Sequence, residues 1–373
     1  MIGMFSIITW AGPVYVCCLV LGIQALVFRE MVNVRYIAAK EKEMPLFRTL
    51  QWSWFVLAVF YTYGDFLHEF VISHSQLLWM SYFTKWHAGI SFSMYCVVFV
   101  TSVLTLKPGL YRYQVGQLTW TIVTICMIVA QLKFVAQNIF SGLFWFFFPS
   151  SLVVCNDVFA YFCGMSLGRK IVHIPFLQIS PNKTWEGFIG ASFFTALYAF
   201  FASGALAEVP WFTCPVESLT IYPHQLDACE PPSVFTAQAV EIPAAVLDFI
   251  HNFLLIDITG TITSLPVKPI QLHAVVMALF TSIIAPFGGF WASAIKRTYG
   301  IKDFDSIIPG HGGVTDRMDC QFITALFTSV YLRSFIQPSI VTVGKLVSLA
   351  SLLTLQEQKG LLSELQALIA DQQ

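Results

Sequence analysis

Long apolar runs, each close to the length that crosses a bilayer, alternate with short polar segments along most of this chain. A spanning helix needs about 20 mostly apolar residues. Runs of that kind fall near 5–28, 49–66, 87–106, 118–136, 141–166, 187–205, 273–292 and 320–336. Trp52, Trp54, Trp86 and Trp120 mark several of their ends, where amphipathic rings settle at a membrane–water boundary. The pattern predicts an all-α, polytopic transmembrane helix bundle of about eight to nine spans. A further membrane contact is left open in the 1–28 run and at 240–262. The first run has no basic stretch ahead of it, so it is predicted as a span and not as a cleaved secretory leader.

The polar connectors add an orientation. Arg29, Arg35, Lys40, Lys42 and Arg48 occupy the 29–48 segment, Lys107 and Arg112 the 107–117 segment, and Arg169, Lys170 and Lys183 the 168–186 segment. Lys296, Arg297, Lys302 and Arg317 occupy 293–319. Eight alternating spans put all four basic loops on one side, which the positive-inside rule makes the cytoplasm. The long 206–272 loop falls on the other, lumenal side and is acidic, with Lys268 its lone basic residue. Cys214 and Cys229 lie within it, either as a disulfide or as two free thiols. Residues 1–340 are thus predicted as one membrane domain. Residues 341–373 follow as an amphipathic helical tail, a hairpin broken at Gly360.

Composition narrows the class. The 373 residues are 57% hydrophobic and 11% charged, against about a quarter charged in soluble domains. The remaining cysteines lie in or beside apolar runs with no paired zinc spacing. A net charge of −1 says nothing about partners by itself, and no nucleic-acid partner is expected. What stands out is where the few charges sit.

Eight of the 41 acidic and basic residues fall in "SAIKRTYGIKDFDSIIPGHGGVTDRMD", Ser293–Asp319. Lys296 and Arg297 close a helix, and for those two alone membrane anchoring would suffice. The glycine-rich "PGHGG" bares backbone N–H groups suited to phosphate oxygens. Asp316 and Asp319 are three apart, so a helix starting there presents both on one face. Clustered carboxylates beside cations commonly hold Mg²⁺ between acidic side chains and substrate phosphates. The alternative is a solvated salt-bridge loop, which a chain so short of charge makes the weaker reading. In "QISPNKTWEG", Ser180 is expected as an N-cap with Pro181 first in the helix, which places Lys183 and Thr184 in an anion-attracting first turn. Asp157, in the apolar "VVCNDVFAYFCGMSLGR", costs several kcal/mol unless paired or metal-bound. Gly164 and Gly168 beside it would let helices pack closely. Asp65, His68, Glu69, His87 and Lys133 read as interfacial groups.

These stretches together resemble the CDP-diacylglycerol synthases, also called phosphatidate cytidylyltransferases. Ser293–Asp319 follows that family's signature: S-x-hydrophobic-K-R, four residues, K-D, then P-x-H-G-G and D-R-x-D. "SPNKTWEG", "NDVFAYFCGMSLGR", "CPVE" and a downstream "CEPP" are similar to its eukaryotic branch, and the likeness runs from about residue 20 to 340. One departure is Asp305, where the family has a small residue.

The resemblance implies transfer of the cytidylyl group of CTP to phosphatidic acid, giving CDP-diacylglycerol and pyrophosphate. It implies a polar active-site cavity facing the cytoplasm, an endoplasmic reticulum membrane, Mg²⁺ with a second cation left open, and a homodimer. Lys183, Asp303, Asp316, Arg317 and Asp319 are the expected catalytic residues. Ser180, Thr184, Lys296, Arg297, Lys302, His311, Gly312 and Gly313 would bind substrate, and Asp157, Asp303, Asp316 and Asp319 would hold metal. Two rivals remain: a polytopic transporter, which would carry its charge at the midplane of broken helices, and an impaired family member, which Asp305 suggests.

Overall fold

The computed structural model describes residues 2–41, 44, 46–174, 176–180, 183–216, 229–241, 264–306, 312–336, 346–347, 350 and 353–372. The chain divides into two compact units, Met1–Ser329 and Val330–Gln373.

The first unit is a helix bundle. A short α1 (Ile2–Ala11) ends at Gly12, whose φ is 127°. Pro13 then opens α2 (Pro13–Glu41). The single span expected at 5–28 is therefore cut at Gly12–Pro13 and continues well beyond residue 28. A positive-φ glycine followed by a residue with no N–H ends one helix and starts another. Next come α3 (Phe47–Ser73), α4 (Ser81–Lys85), α5 (His87–Leu104) and α6 (Tyr111–Ile125). A π-helical turn at Cys126–Ala130 joins α6 to α7 (Gln131–Phe140). Then follow α8 (Phe144–Leu167), α9 (Trp185–Leu206) and α10 (Pro210–Thr213).

Among the described residues, seven helical stretches are long and apolar enough to cross a membrane: Pro13–Tyr36, Phe47–Ser73, His87–Leu104, Tyr111–Phe140, Phe144–Leu167, Trp185–Leu206 and Pro269–Thr298. The last is α11 (Pro269–Ile283) and α12 (Pro286–Thr298), meeting at Ala285–Pro286. The eighth expected span falls on α13 (Thr315–Tyr331), which is helical but opens with the polar run TDRMD. Alternation of the seven leaves 37–46, 105–110, 168–184 and 299–314, the basic loops, at one end of the bundle. The acidic loop lies at the other. It carries a two-stranded antiparallel hairpin that the apolar pattern did not foretell, β1 (Gln238–Glu241) against β2 (Ser264–Val267), with Gln238 opposite Val267. Cys214 and Cys229 are disulfide-bonded, their Cα atoms 6.1 Å apart. Membrane contact by 240–262 concerns a segment almost wholly outside the described residues.

α2 runs through the centre of the core. Val16, Val20, Val27 and Phe28 pack with Phe55 of α3, Ile139 of α7, Ala292 of α12 and Phe322 of α13. Large apolar side chains are left facing outward on the rim helices, such as Phe92 on α5 and Phe193 on α9, 67% and 66% exposed. A bilayer accepts such a surface, since lipid tails are as apolar as the side chains.

The second unit holds a π-helical turn, Leu332–Ile336, and α14 (Leu355–Gln372). The expected break at Gly360 is absent, and the helix runs through it. Its N-terminus is instead set at Thr354, whose N–H and hydroxyl both donate to Glu357 Oε2. Those two bonds hold the Glu357 carboxyl below its ordinary range.

Candidate active site

Glycines bring the site elements together. A Cβ at Gly187 of α9 would lie 2.9 Å from the Ala160 carbonyl oxygen of α8, and one at Gly164 would lie 3.4 Å from Thr184 Oγ1. The α8–α9 crossing is thus as tight as the Gly164/Gly168 spacing predicts. On the far side, a Cβ at Gly288 of α12 would fall 2.5 Å from the Asp319 carbonyl oxygen, and one at Gly289 would fall 3.2 Å from Asp319 Oδ2. α13 can lie against α12 here only because α12 has no side chains at these two positions.

The 168–184 loop is pinned from two directions. Glu186 Oε1 accepts the N–H groups of Ile171 and Val172, at 3.0 and 2.8 Å. Phe176 stacks on Phe290 of α12 with ring centroids 5.6 Å apart. Lys183 consequently rests its Nζ 4.7 Å from the centre of the Phe290 ring. The helix begins later than the expected cap at Ser180. Thr184 is the N-cap, in an extended conformation, with its Oγ1 accepting the Gly187 N–H at 3.2 Å. Ser180 instead closes the preceding turn through its carbonyl, which accepts the Lys183 N–H. Lys183 and Thr184 therefore flank the helix start, one residue outside and at the cap, and do not lie in its first turn.

The four carboxylates expected to hold metal fall into two pairs. Asp157 of α8 and Asp319 of α13 are within electrostatic reach of each other and of Lys183, and Arg317 lies within reach of Asp157. Asp303 and Asp316 converge on Gly312, whose φ is 80°, and a Cβ there would lie 3.3 Å from an oxygen of each. Asp316 is well occupied. Its Oδ1 accepts from Lys296 Nζ at 2.5 Å, and its Oδ2 accepts the N–H groups of Phe304 and Gly313, both at 3.1 Å. It staples the signature loop to α12 and to the start of α13. Arg297, Lys302 and Asp303 are exposed at the same end, while His311 lies outside the described residues. Asp305 turns its Oδ1 to the N–H of Ser306.

Among the described residues, no three His, Cys, Asp or Glu side chains converge closely enough to enclose a metal ion by themselves. Mg²⁺ is usually held by one or two carboxylates together with waters and substrate phosphates. Asp157 and Asp319, hard oxygen donors within electrostatic reach of Lys183, fit that mode.

Sequence reasoning passed over Glu30. It follows Arg29 in the second half of α2 and is fully buried. Its two oxygens accept the N–H groups of Val314 and Thr315, at 2.7 and 2.8 Å. The sequence offered little signal, since Glu30 follows Arg29 in the polar segment expected to begin at residue 29. Next to the site lies an apolar cavity of about 210 Å³ between α2, α6, α12 and α13. Val27, Trp120, Trp291 and Phe322 are among its walls, and Thr124, Gln131, Thr315 and Asp319 are its polar lining.

A helix bundle with paired carboxylates and cations at one end, beside a greasy cavity, is the layout of a membrane enzyme acting on charged groups. The chain belongs to the cytidylyltransferase family, whose pattern matches residues 1–335. It is 46% identical to a Dictyostelium discoideum protein named "Probable phosphatidate cytidylyltransferase" over 90% of this chain and 69% of that one. It is 38% identical to phosphatidate cytidylyltransferase 1 of Arabidopsis thaliana, over 100% of this chain and 86% of that one. Identity to the human protein of the same name is also 38%, over 90% and 70%.

Proposed function

We propose that this chain transfers the cytidylyl group of CTP to phosphatidic acid, yielding CDP-diacylglycerol and pyrophosphate. The observation that carries the reading is that Asp319, which lines an apolar cavity, lies within electrostatic reach of Asp157 and Lys183, with Arg317 within reach of Asp157. Two polyanions repel one another, and one of them is a lipid. A site for both needs cationic groups and an apolar recess side by side.

A phosphate oxygen of the lipid attacks the α-phosphorus of CTP in line. The new P–O bond forms as the bond from the α-phosphorus to the bridging oxygen breaks, and that electron pair leaves on pyrophosphate. The attacking phosphate monoester is already ionised, so no strong general base is required. Lys183 and Arg317 grip the phosphates, with Lys296, Arg297 and Lys302 on the rim of the same loop system. Asp157 and Asp319 are the residues suited to hold Mg²⁺. When bound, the ion supplies charge neutralisation between the two phosphates. Gly312 and Gly313 keep the loop backbone near the substrate, and one acyl chain lies in the cavity past Asp319. Asp305, turned to Ser306, is compatible with an active enzyme.

The cytoplasm-facing orientation is supported by the basic loops at the site's end and by the Cys214–Cys229 bridge at the other, since disulfides persist in oxidising compartments. Purified protein should release pyrophosphate from CTP only when phosphatidate and Mg²⁺ are both supplied. CTP left intact under those conditions, with the protein folded, ends this proposal.

A further inference from the structure

Glu30 follows the exposed Arg29 near the basic end of the spanning segment Pro13–Tyr36, yet none of its surface reaches solvent. A buried carboxylate is costly unless donors surround it. Here the donors are the first free N–H groups of α13, which lack partners in any helix. The positive end of that helix dipole adds to them. Gly313 makes room: a Cβ there would lie 2.8 and 3.0 Å from the two Glu30 oxygens. Gly312 and Gly313 thus have different jobs. Gly312 supplies positive φ between Asp303 and Asp316, and Gly313 admits Glu30.

We propose that Glu30 is a positioning residue for the transferase site, fixing the rotation of α13 about its own axis; this rests on the function proposed above. Asp316, Arg317 and Asp319 all follow within five residues of the clamped N–H groups. Asp316 faces Lys296, while Asp319, nearly one turn on, reaches the Asp157 and Lys183 side. Side-chain oxygens stand roughly 5–6 Å from a helix axis, so a 20° turn would move them by about 2 Å. A 1 Å misplacement can cost about a hundredfold in rate. With one carboxylate held on two adjacent N–H groups, such a turn is blocked.

The test is Glu30→Gln in the full chain, purified in detergent. The amide keeps one acceptor and points a donor at the second N–H. Turnover should fall about 10–100-fold, as for other residues that orient site groups, with KM for CTP and for lipid little changed. Hydrogen exchange at the Val314 and Thr315 amides should quicken. Gly313→Ala, which pushes on the same carboxylate from the other side, should reproduce the loss, and the double variant should be no worse than either single one. If Glu30→Gln is not recovered folded, Gly313→Ala with the exchange measurement decides the question. Wild-type turnover, unchanged exchange at both amides, or fully additive losses would each overturn the role. Failure of wild type to use CTP and phosphatidate would sink the transferase reading instead, and the exchange result would still judge Glu30.

Discussion

Replacing Asp316 by Asn tests the centre of the signature loop. The Asp316–Lys296 pair is 9% and 17% exposed, with a 2.5 Å contact, and the second carboxylate oxygen takes two backbone N–H groups. Asn keeps one acceptor oxygen. It can satisfy either the lysine or the two N–H groups, and its NH₂ then faces donors. Removing one partner of a buried pair costs about 3–5 kcal/mol. The partial exposure of Lys296 puts this case near about 3 kcal/mol, or roughly a hundredfold in the population of the ordered loop. The cost falls on the loop, not on the core around α2. Turnover measured as pyrophosphate release should therefore drop by at least two orders of magnitude, while the unfolding temperature in detergent falls by no more than about 5 °C. Adding Lys296→Gln removes the stranded cation, so stability should return while activity does not. Wild-type turnover from Asp316→Asn would refute the argument, as would global unfolding rescued together with activity by the second substitution.

Gly288→Ala, whose Cβ would meet the Asp319 carbonyl oxygen at 2.5 Å, should part α12 from α13. A loss of turnover of at least tenfold is expected, at a stability cost of about 1–3 kcal/mol. Val123 lines the cavity and is 46% exposed, so Val123→Trp can narrow the mouth without filling the core. The Michaelis constant for phosphatidate should rise and that for CTP should not; equal effects on both would remove the acyl chain from this cavity. Cys214 and Cys229 are 15 residues apart in sequence. Their reduction should cost about 3 kcal/mol of stability by loop entropy, seen as a lower unfolding temperature. Pyrophosphate release at a temperature where the protein stays folded should be unchanged. If reduction stops catalysis there, the disulfide-bonded loop and the site are not independent.

Much was legible because bilayer physics leaves so few options. Apolar runs of spanning length must be helices, and the scarce charges must mark either boundaries or chemistry. Seven of the eight expected spans fall on apolar helices on that ground alone. The glycine-rich loop with its Lys, Arg and Asp residues could be singled out the same way. Local detail was harder. Ser180 and Thr184 are both acceptable caps, and the choice went to Thr184, which lies against Gly164 at the α8–α9 crossing. The hairpin β1–β2 is only four residues a strand, too short for an alternation signal to stand out.

What the amino-acid order determined by itself, then, was the class of molecule, its membrane segments, and the residue types its chemistry draws on. Only the folded chain decided their partnerships. Asp157 and Asp319 are 162 positions apart and come within electrostatic reach of each other in a bundle where glycines let α8 approach α9 and α12 approach α13. Glu30 reaches Val314 and Thr315 across 284 and 285 positions. One-dimensional pattern carries the cost of exposing a group to lipid, residue by residue. It does not carry which distant N–H a buried carboxylate will find, since that depends on how closely backbones approach in three dimensions.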